Sequence, residues 1–500
     1  MAGRPTIDRG MVVRGGVKRL AATALLVSAI AALSGCSSIG GLGTTDPLIS
    51  QAGSTSNVLA VAANPGLDPE HDRIVASYGG VYDDPAAAQA VARAVGRIVA
   101  ASDDPSQSYR ITILNSPAVN AFALPSGNLY VTRGLIGLAD DTSEVAAVIA
   151  HEMAHVTARH AVARARRAEV ASEVTKMANV MQDQDAQRLA LASTQLSLAR
   201  FSQVQELEAD GIGVRTLARA GFDPFAASRF LSSMARYAEF RSSRGGASKN
   251  PDFLSSHPST PERISFAVRS AREIGAPGIG EQEREQYLKG LDGMVFGDDP
   301  SEGFVRGRSF LHKALGIQFT VPVGYTLENT TKAVLATDAQ GMAMRFDGVS
   351  LSPDVSLTSY LASGWINGLV GDSIATTTIG DLPAATATAR ADGWTFRIGV
   401  VRKARTVFRF IFAAQEEGAL LDTALADTMA SFRRLTAEES TRLRPLRIRI
   451  VRVKPGDTLD RLTEQMSGTD RKADLFRILN GLGAGEMPDA GRLVKIVTDN

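Results

Sequence analysis

The chain has almost no cysteine, and Cys36 is the only one in its 500 residues. A single cysteine cannot form a disulfide within the chain, and it cannot build the thiolate cluster of a structural zinc site. An excess of charge of one sign is lacking too, because 54 basic and 53 acidic side chains give a net charge of +1. This balance offers no electrostatic case for a nucleic acid partner.

Long apolar runs are scarce, and the one near the start spans Leu20 to Leu33. It follows basic residues and is too short for a stable membrane span, so we predict a signal peptide over residues 1–35. The run ends in Leu33-Ser34-Gly35-Cys36, which resembles a bacterial lipobox, so Cys36 is expected to carry the lipid. We expect a periplasmic protein anchored by this lipid to the inner leaflet of the outer membrane. The alternative is an ordinary secretory peptide followed by a stray cysteine.

The segment from Ala150 to His155 carries the clearest chemical signal. His151 and His155 are four residues apart, so on a helix both imidazoles lie on one face and can bind one ion. Glu152 follows the first histidine, where a carboxylate can take a proton from a metal-activated water. The preceding residues are mostly apolar and include no Gly or Pro, as a buried helix requires. The pattern predicts a zinc-dependent hydrolase.

A catalytic zinc site needs a third protein ligand and keeps one position for water. The best carboxylates are Glu206 and Asp210, again four apart, on a segment predicted to be helical from Val204 to Leu217. One of them can bind the metal while the other accepts the outer N–H of a ligating histidine. Glu208 points elsewhere on that helix and is interpreted as solvated or structural. The alternative for the acidic pair is a solvent-exposed helix face.

Four separate segments resemble the M48 family of zinc metalloproteases, particularly its bacterial periplasmic lipoprotein members. They are Asn120 to Val131, His151 to His155, Glu206 to Asp210, and Ser256 to Ile264. The resemblance implies one Zn²⁺ ion bound by His151, His155 and Glu206, Glu152 as the general base, and Asp210 as a supporting residue. One departure is Ser202-Gln203, where the family often has Ser-Arg.

The four remaining histidines lie outside the His151–His155 pair and differ in their expected relation to the metal. His257 is the candidate partner of the tetrahedral oxyanion, or a fourth ligand that blocks the water in a resting state. Its alternative is a loop histidine that caps the helix beginning near Thr260. His160 lies five residues past His155, which on a continuous helix turns it off the metal face. We therefore interpret it as structural, together with His71 and His312.

The stretch before the zinc helix suggests how a substrate is held. Asn120, Ala121, Phe122 and Ala123 belong to a segment rich in strand-forming residues and interrupted by Pro125-Ser126-Gly127. An edge strand beside a zinc site can pair with an extended peptide through main-chain hydrogen bonds, which accepts many sequences. The alternative is a simple hairpin of the fold.

The remaining sequence predicts a multidomain protein. The expected fold is a mainly α gluzincin-type protease domain with a small β-sheet, followed by an α+β sandwich and a small βααβ domain. The predicted divisions are a flexible tether (36–70), the protease domain (71–275), a linker (276–310), the α+β domain (311–440) and the βααβ domain (446–500).

The two C-terminal domains resemble known modules. Alternating apolar residues predict strands over residues 316–322, 343–346, 394–401 and 407–412, and helices over 357–369 and 419–432. This pattern vaguely resembles the PsbP-like sandwich. The turn from Pro455 to Leu459 and the later Leu479-Asn480-Gly481 resemble a LysM module, a family that commonly binds peptidoglycan. The usual aromatic after the turn is absent, since Asp460-Arg461-Leu462 stands there.

These observations favour an endopeptidase of the bacterial cell envelope that hydrolyses misfolded or stalled envelope or outer-membrane proteins. A second hypothesis is a chaperone-like zinc protein that binds client proteins with little turnover. A third is a peptidoglycan peptidase, suggested by zinc together with a LysM-like end. The expected partners are polypeptide substrates, the membrane through Cys36, and peptidoglycan through the C-terminal module.

Overall fold

The computed structural model describes residues 68–178, 184–242 and 257–499. The predicted signal peptide, the Cys36 lipidation site and most of the predicted tether lie outside these residues. The described chain forms two compact units. We call residues 68–317, 329–331 and 435–499 the larger unit, and residues 318–328 and 332–434 the smaller unit.

The first part of the larger unit is mainly helical. In chain order it contains α1 (Pro69–Ser77), α2 (Pro85–Ala101), β1 (Arg110–Leu114), β2 (Ala121–Ala123), β3 (Asn128–Thr132), α3 (Arg133–Leu138), α4 (Thr142–Thr157), α5 (His160–Ala178), α6 (Gln184–Arg219), α7 (Ala226–Ser242), α8 (Pro261–Ile274), α9 (Arg284–Leu291), β4 (Val295–Phe296), β5 (Phe304–Arg306) and β6 (Ser309–His312). Strands β1, β3 and β2 form a three-stranded sheet in that order, with β2 at one edge. β1 runs parallel to β3, and β2 pairs antiparallel with β3.

Helix starts follow local sequence signals. The Asp84 carboxylate accepts the N–H groups of Ala86 and Ala87, and Pro85 occupies the first helical position of α2. These are the residue types preferred at a cap and at the first position, because the cap oxygen satisfies orphan donors and proline has no N–H to lose. Thr260 and Pro261 repeat the arrangement at the start of α8.

Residues 276–310 were expected to form a linker, but the structure packs part of this segment into the larger unit. Helix α9 buries Tyr287, Leu288 and Leu291 completely. The Tyr287 hydroxyl donates a hydrogen bond of 2.6 Å to the carbonyl oxygen of Ile136 at the end of α3. Among its charged residues, which suggested a linker, Glu285 and Lys289 are exposed, whereas Arg284 is partly buried and pairs with Asp140.

The smaller unit contains a large antiparallel sheet. Its elements are β7 (Ile317–Thr320), β8 (Thr326–Asn329), β9 (Val334–Thr337), β10 (Ala343–Ser350), α10 (Leu357–Leu361), β11 (Leu369–Ile379), β12 (Leu382–Ala391), β13 (Trp394–Lys403), β14 (Thr406–Ala414), α11 (Ala419–Ser431) and β15 (Arg433–Arg434). Seven strands pair in the order β11, β12, β13, β14, β10, β9, β8.

The helix predicted over residues 357–369 is wrong in its second half. Helix α10 ends at Leu361, and the chain turns through Gly364 and Gly368, which both have positive φ. Gly368 is required at its position, because a Cβ there would lie 1.9 Å from the carbonyl oxygen of Arg390. Strand β11 begins immediately afterwards, at Leu369.

The C-terminal segment returns to the larger unit. It contains α12 (Ala437–Arg442), β16 (Leu446–Arg452), α13 (Leu459–Glu464), α14 (Lys472–Leu479) and β17 (Leu493–Thr498). β16 pairs antiparallel with both β17 and β4. Buried side chains from β16, α13, α14 and β17 join the apolar core that also contains α4. The order is strand, helix, helix, strand, and its assignment as a LysM module stays a prediction.

One buried lysine connects this segment to the end of α3. The Lys495 ammonium is fully buried and donates to the carbonyl oxygens of Gly137, Leu138 and Ala139 at 3.2, 3.1 and 2.6 Å. A cation at the C-terminus of a helix is favourable, and here it satisfies the last carbonyls of α3. It also lies 3.9 Å from Asp140, which Arg284 holds through two hydrogen bonds of 2.8 and 2.9 Å.

Among the described residues, no helix combines the length and the apolar composition that a bilayer crossing requires.

Candidate metal centre

Helix α4 presents the two spaced histidines. Asp141 caps its start by accepting the N–H of Glu144 at 2.8 Å. Every residue from Thr142 to His155 is buried, so the helix runs through the core of the larger unit. The Nε2 atoms of His151 and His155 are 3.0 Å apart, as the four-residue spacing predicts for two side chains on one helix face.

Helix α6 brings Glu206 to the same point. Gly213 permits a close crossing of α6 over α4, since a Cβ there would lie 3.3 Å from the backbone nitrogen of His151. The Glu206 carboxylate oxygens lie 3.4 Å from His151 Nε2 and 3.4 Å from His155 Nε2. A tetrahedral zinc ion with bonds of about 2.0–2.1 Å holds its ligand atoms about 3.3 Å apart. The three side chains are therefore spaced as the ligands of one such ion.

His257 completes a four-residue cluster. Its Nδ1 lies 2.9 and 3.0 Å from the two Glu206 oxygens and 3.4 Å from His151 Nε2. The four side chains are all buried, and one potential ligand atom from each lies within 4.8 Å of the others. The N-cap of α8 is Thr260, whose hydroxyl accepts the N–H of Arg263. The helix-capping interpretation of His257 is therefore wrong.

Asp210 and Arg263 support the cluster from behind. His151 Nδ1 lies 3.0 Å from an Asp210 oxygen, which leaves Nε2 to face Glu206. Arg263 binds Asp210 through two hydrogen bonds of 2.7 Å and lies 3.1 Å from Glu206. Arg263 belongs to the motif from Ser256 to Ile264, but its pairing with Asp210 was not predicted from the sequence.

His160 contacts the cluster, contrary to the helical-wheel expectation. Helix α4 ends at Thr157, and Arg159 adopts a left-handed conformation with φ 55° before α5 begins at His160. This break invalidates the assumption of a continuous helix. His160 Nδ1 lies 2.8 Å from His155 Nδ1, and its Nε2 lies 3.3 Å from a Glu208 oxygen.

The cluster has the electrostatics of a cation site. Burial alone disfavours charge on His151, but hydrogen bonds to Asp210 and Glu206 outweigh it and raise the pKa of His151 to about 9. Burial raises the pKa of Glu206, yet its contacts with His151 and His257 lower that pKa well below the usual range. Burial, reinforced by the charge on His151, lowers the pKa of His155. The site therefore attracts positive charge, either a proton or a metal ion.

Glu152 is placed beside the cluster without belonging to it. Burial raises the pKa of its carboxyl group above the usual value. Its Oε1 is buried and has no hydrogen-bond partner among the described residues, and it lies 3.8 Å from His257 Nε2. A buried acceptor without a partner is costly. A water molecule held by an ion in the cluster would satisfy it, so the residues present fit a divalent metal ion.

The predicted substrate segment packs against the helix that carries His151 and His155. β2 packs beside α4, at the edge of its sheet. Asn120 donates from its side chain to the Tyr78 hydroxyl at 3.0 Å, and Phe122 stacks on Tyr130 with ring centroids 4.9 Å apart. His71 contacts the Tyr130 hydroxyl at 2.9 Å, which agrees with a structural role.

Comparisons with known proteins point to one family. Residues 85–271 match the model of Peptidase family M48. The beta-barrel assembly-enhancing protease of Escherichia coli (strain K12) is 27% identical over 256 residues, which cover 49% of this chain and 51% of that protein. The protein of that name from Yersinia pestis is 32% identical over 205 residues, covering 39% and 40%.

A eukaryotic relative is also similar. The mitochondrial metalloendopeptidase OMA1 of Schizosaccharomyces pombe is 32% identical over 174 residues, which cover 35% of this chain and 50% of that protein. The chain thus spans about half of these relatives' length, or less. The resemblance drawn from the four motifs is confirmed for this part of the chain.

Proposed function

Because the chain contains a Peptidase M48 family domain over residues 85–271, we propose that it is a zinc-dependent endopeptidase of the bacterial cell envelope. One observation carries the proposal: the potential ligand atoms of His151, His155 and Glu206 lie 3.0–3.4 Å from one another. That spacing suits a tetrahedral ion, and two imidazoles with one carboxylate are a known ligand set of catalytic zinc.

The residues in and around the cluster divide the work of the proposed site. His151, His155 and Glu206 bind the ion, and Asp210 orients His151 by accepting its Nδ1–H. When bound, zinc supplies Lewis-acid activation of a water and of the peptide carbonyl. Glu152 takes the proton of the attacking water and passes it to the leaving amine, a task that suits a carboxyl group with a raised pKa.

His257 has two compatible roles. Its Nδ1 stands at hydrogen-bond distance from Glu206 and 3.4 Å from His151 Nε2, close to the fourth position of a tetrahedral site. In a resting state His257 would hold the ion at that position and exclude the water. With substrate bound, it would instead donate a hydrogen bond to the oxyanion of the substrate.

Substrate binding is assigned to the edge strand. An extended polypeptide would add to the free edge of β2, within the segment from Asn120 to Ala123, through main-chain hydrogen bonds that the pairing with β3 leaves open. This mode of binding recognises the backbone and tolerates varied side chains. It suits an enzyme that acts on misfolded proteins of many sequences.

The bacterial relatives are named for beta-barrel assembly. We extend this to the present chain and propose that its substrates are misfolded or stalled outer-membrane proteins. The sequence around Cys36 supports a lipid anchor facing the periplasm, and the LysM-like segment supports contact with peptidoglycan. A Cys36→Ala variant that remains in the membrane fraction would contradict the anchor.

The test compares wild type with Glu152→Gln, each loaded with zinc. The substitution keeps the ligands but removes the base, so casein cleavage should fall by about 10²–10⁴-fold while zinc stays at one ion per chain. Glu169→Gln, on the exposed face of α5, is the matched control and should cleave normally.

Three outcomes would contradict the proposal. Full cleavage by Glu152→Gln would exclude Glu152 as the base. Digestion of purified sacculi but not of casein by wild type would favour the peptidoglycan peptidase instead. Unchanged envelope function in cells carrying Glu152→Gln would favour the chaperone-like hypothesis.

A further inference from the structure

The two proposed histidine ligands are held by different partners. The Nδ1 atom of His151 contacts a carboxylate, Asp210, which in turn accepts hydrogen bonds from Arg263. The Nδ1 atom of His155 instead contacts another imidazole, since His160 Nδ1 lies only 2.8 Å away. His160 is 3% exposed, so this contact is sealed inside the larger unit.

The 2.8 Å contact fixes where the protons are. Two ring nitrogens at this distance must share one proton, because two lone pairs or two N–H groups would repel. For His155 to offer the Nε2 lone pair to a metal, its proton must sit on Nδ1. His155 therefore donates to His160 Nδ1, and His160 carries its own proton on Nε2, which faces the Glu208 oxygen at 3.3 Å.

The backbone holds this arrangement in place. Arg159 turns the chain back through its left-handed conformation, so that His160 becomes the first residue of α5 rather than the next residue of α4. The Gln205 side-chain amide on α6 donates to the His160 carbonyl oxygen at 3.3 Å. The backbone of His160 is thus held by the turn at Arg159 and by α6, the helix that also carries Glu206 and Glu208.

We propose that His160 is a positioning residue that fixes the Nδ1–H tautomer and the ring orientation of His155. The inference rests on the proposed metal site. A ligating histidine almost always donates its outer N–H to a fixed acceptor, which sets its tautomer. Asp210 provides this acceptor for His151, and His160 provides it for His155.

Charge balance explains why this acceptor is neutral. Glu152, Glu206 and Asp210 are three buried carboxyl groups, and Arg263 is a buried cation beside them. With a divalent ion in the cluster, the charges of these groups cancel when all three carboxyl groups are ionised. A fourth carboxylate behind His155 would be an uncompensated buried charge, which is expensive. An imidazole accepts the hydrogen bond without adding that charge.

The test uses two replacements that differ in one property. In His160→Asn the side-chain oxygen keeps an acceptor near the position of Nδ1, whereas His160→Leu has similar bulk and no acceptor. His312→Leu is the matched control, because His312 is also buried in the larger unit but is not part of the cluster. Zinc affinity is measured by competition with a chelator, and the visible spectrum is recorded with Co²⁺ in place of zinc.

We expect His160→Leu to weaken zinc binding about 10–100-fold and to change the Co²⁺ spectrum, as loss of a ligand's supporting hydrogen bond does. His160→Asn should stay within about threefold of wild type, since the acceptor remains. His312→Leu should bind zinc normally. Wild-type affinity in His160→Leu, or equal weakening in His160→Leu and His160→Asn, would overturn the inference. A wild type that binds no zinc at all would instead refute the proposed function.

Discussion

Arg263 is expected to contribute more to stability than any exposed arginine of the larger unit, because it neutralises two carboxylates that water cannot reach. Its side chain is 3% exposed, and those of Asp210 and Glu206 are 5% and 3% exposed. It makes two hydrogen bonds of 2.7 Å to Asp210 and a third of 3.1 Å to the Pro258 carbonyl oxygen. Replacing it with methionine keeps most of the volume and removes all these contacts.

The expected loss follows from this burial. Removing one partner of a buried ion pair leaves an uncompensated charge and costs about 3–5 kcal/mol. For a unit of this size, such a loss lowers the unfolding midpoint by roughly 10 °C. Arg263→Lys should recover only part of it, because a single ammonium cannot form the paired hydrogen bonds that the guanidinium makes.

The assay can separate the two units. The chain has two tryptophans, Trp365 and Trp394, and both lie in the smaller unit. Their fluorescence should therefore be unchanged by Arg263→Met, while the helical circular dichroism signal should melt earlier. Arg269→Met, on the exposed side of the same helix α8, is the control and should change stability by less than about 0.5 kcal/mol. Equal effects of the two substitutions would refute the reasoning.

Three further predictions concern pH, the C-terminal segment and the metal. Burial and the neighbouring Asp141 and Asp140 raise the pKa of Glu144 from 4.5 to about 8. Between these two pH values the folded state holds a proton that the unfolded state has lost, so the stability of wild type should fall from pH 5 to pH 8 relative to that of Glu144→Gln. Urea midpoints of the two proteins that change in parallel with pH would contradict this prediction. A chain ending at Arg444 should not fold into a protease-resistant larger unit, because residues 446–498 complete its core; full casein cleavage by this chain would show a detachable module. A chelator should abolish casein cleavage and one equivalent of zinc should restore it, whereas cleavage that persists in the chelator would exclude a metal enzyme.

The sequence predicted those parts of the site that depend on local geometry. The spacing of His151 and His155 fixes their common face because helix periodicity holds over one turn. Glu206 was predicted as a ligand because Asp210 follows it four residues later on the same helix. In the structure this helix extends from Gln184 to Arg219. In both cases a single regular element carries the information.

The sequence failed where geometry depends on one residue or on distant contacts. One left-handed residue, Arg159, redirects His160 towards His155, and no periodic pattern marks such a break. Arg263 reaches Asp210 across 53 positions of the chain, so no local spacing reports their pairing. The sequence also gave no sign that Lys495 would reach the end of α3, because a buried lysine is uncommon unless it is paired.

Strands β11 and β12 were not predicted from the sequence, for a different reason. They are rich in alanine and threonine, and their apolar alternation is weak. They are held by pairing with neighbouring strands rather than by their own pattern, β12 against β13 along its length. Strand preference of this kind depends on the cross-strand partner, which a single segment does not reveal.

The most direct test of the account is the anomalous diffraction of zinc in crystals of the zinc-loaded protein. We predict one peak at about 2.0–2.1 Å from Nε2 of His151, Nε2 of His155 and a carboxylate oxygen of Glu206. A peak elsewhere, or a Glu206 side chain turned away from the two histidines, would contradict the central claim.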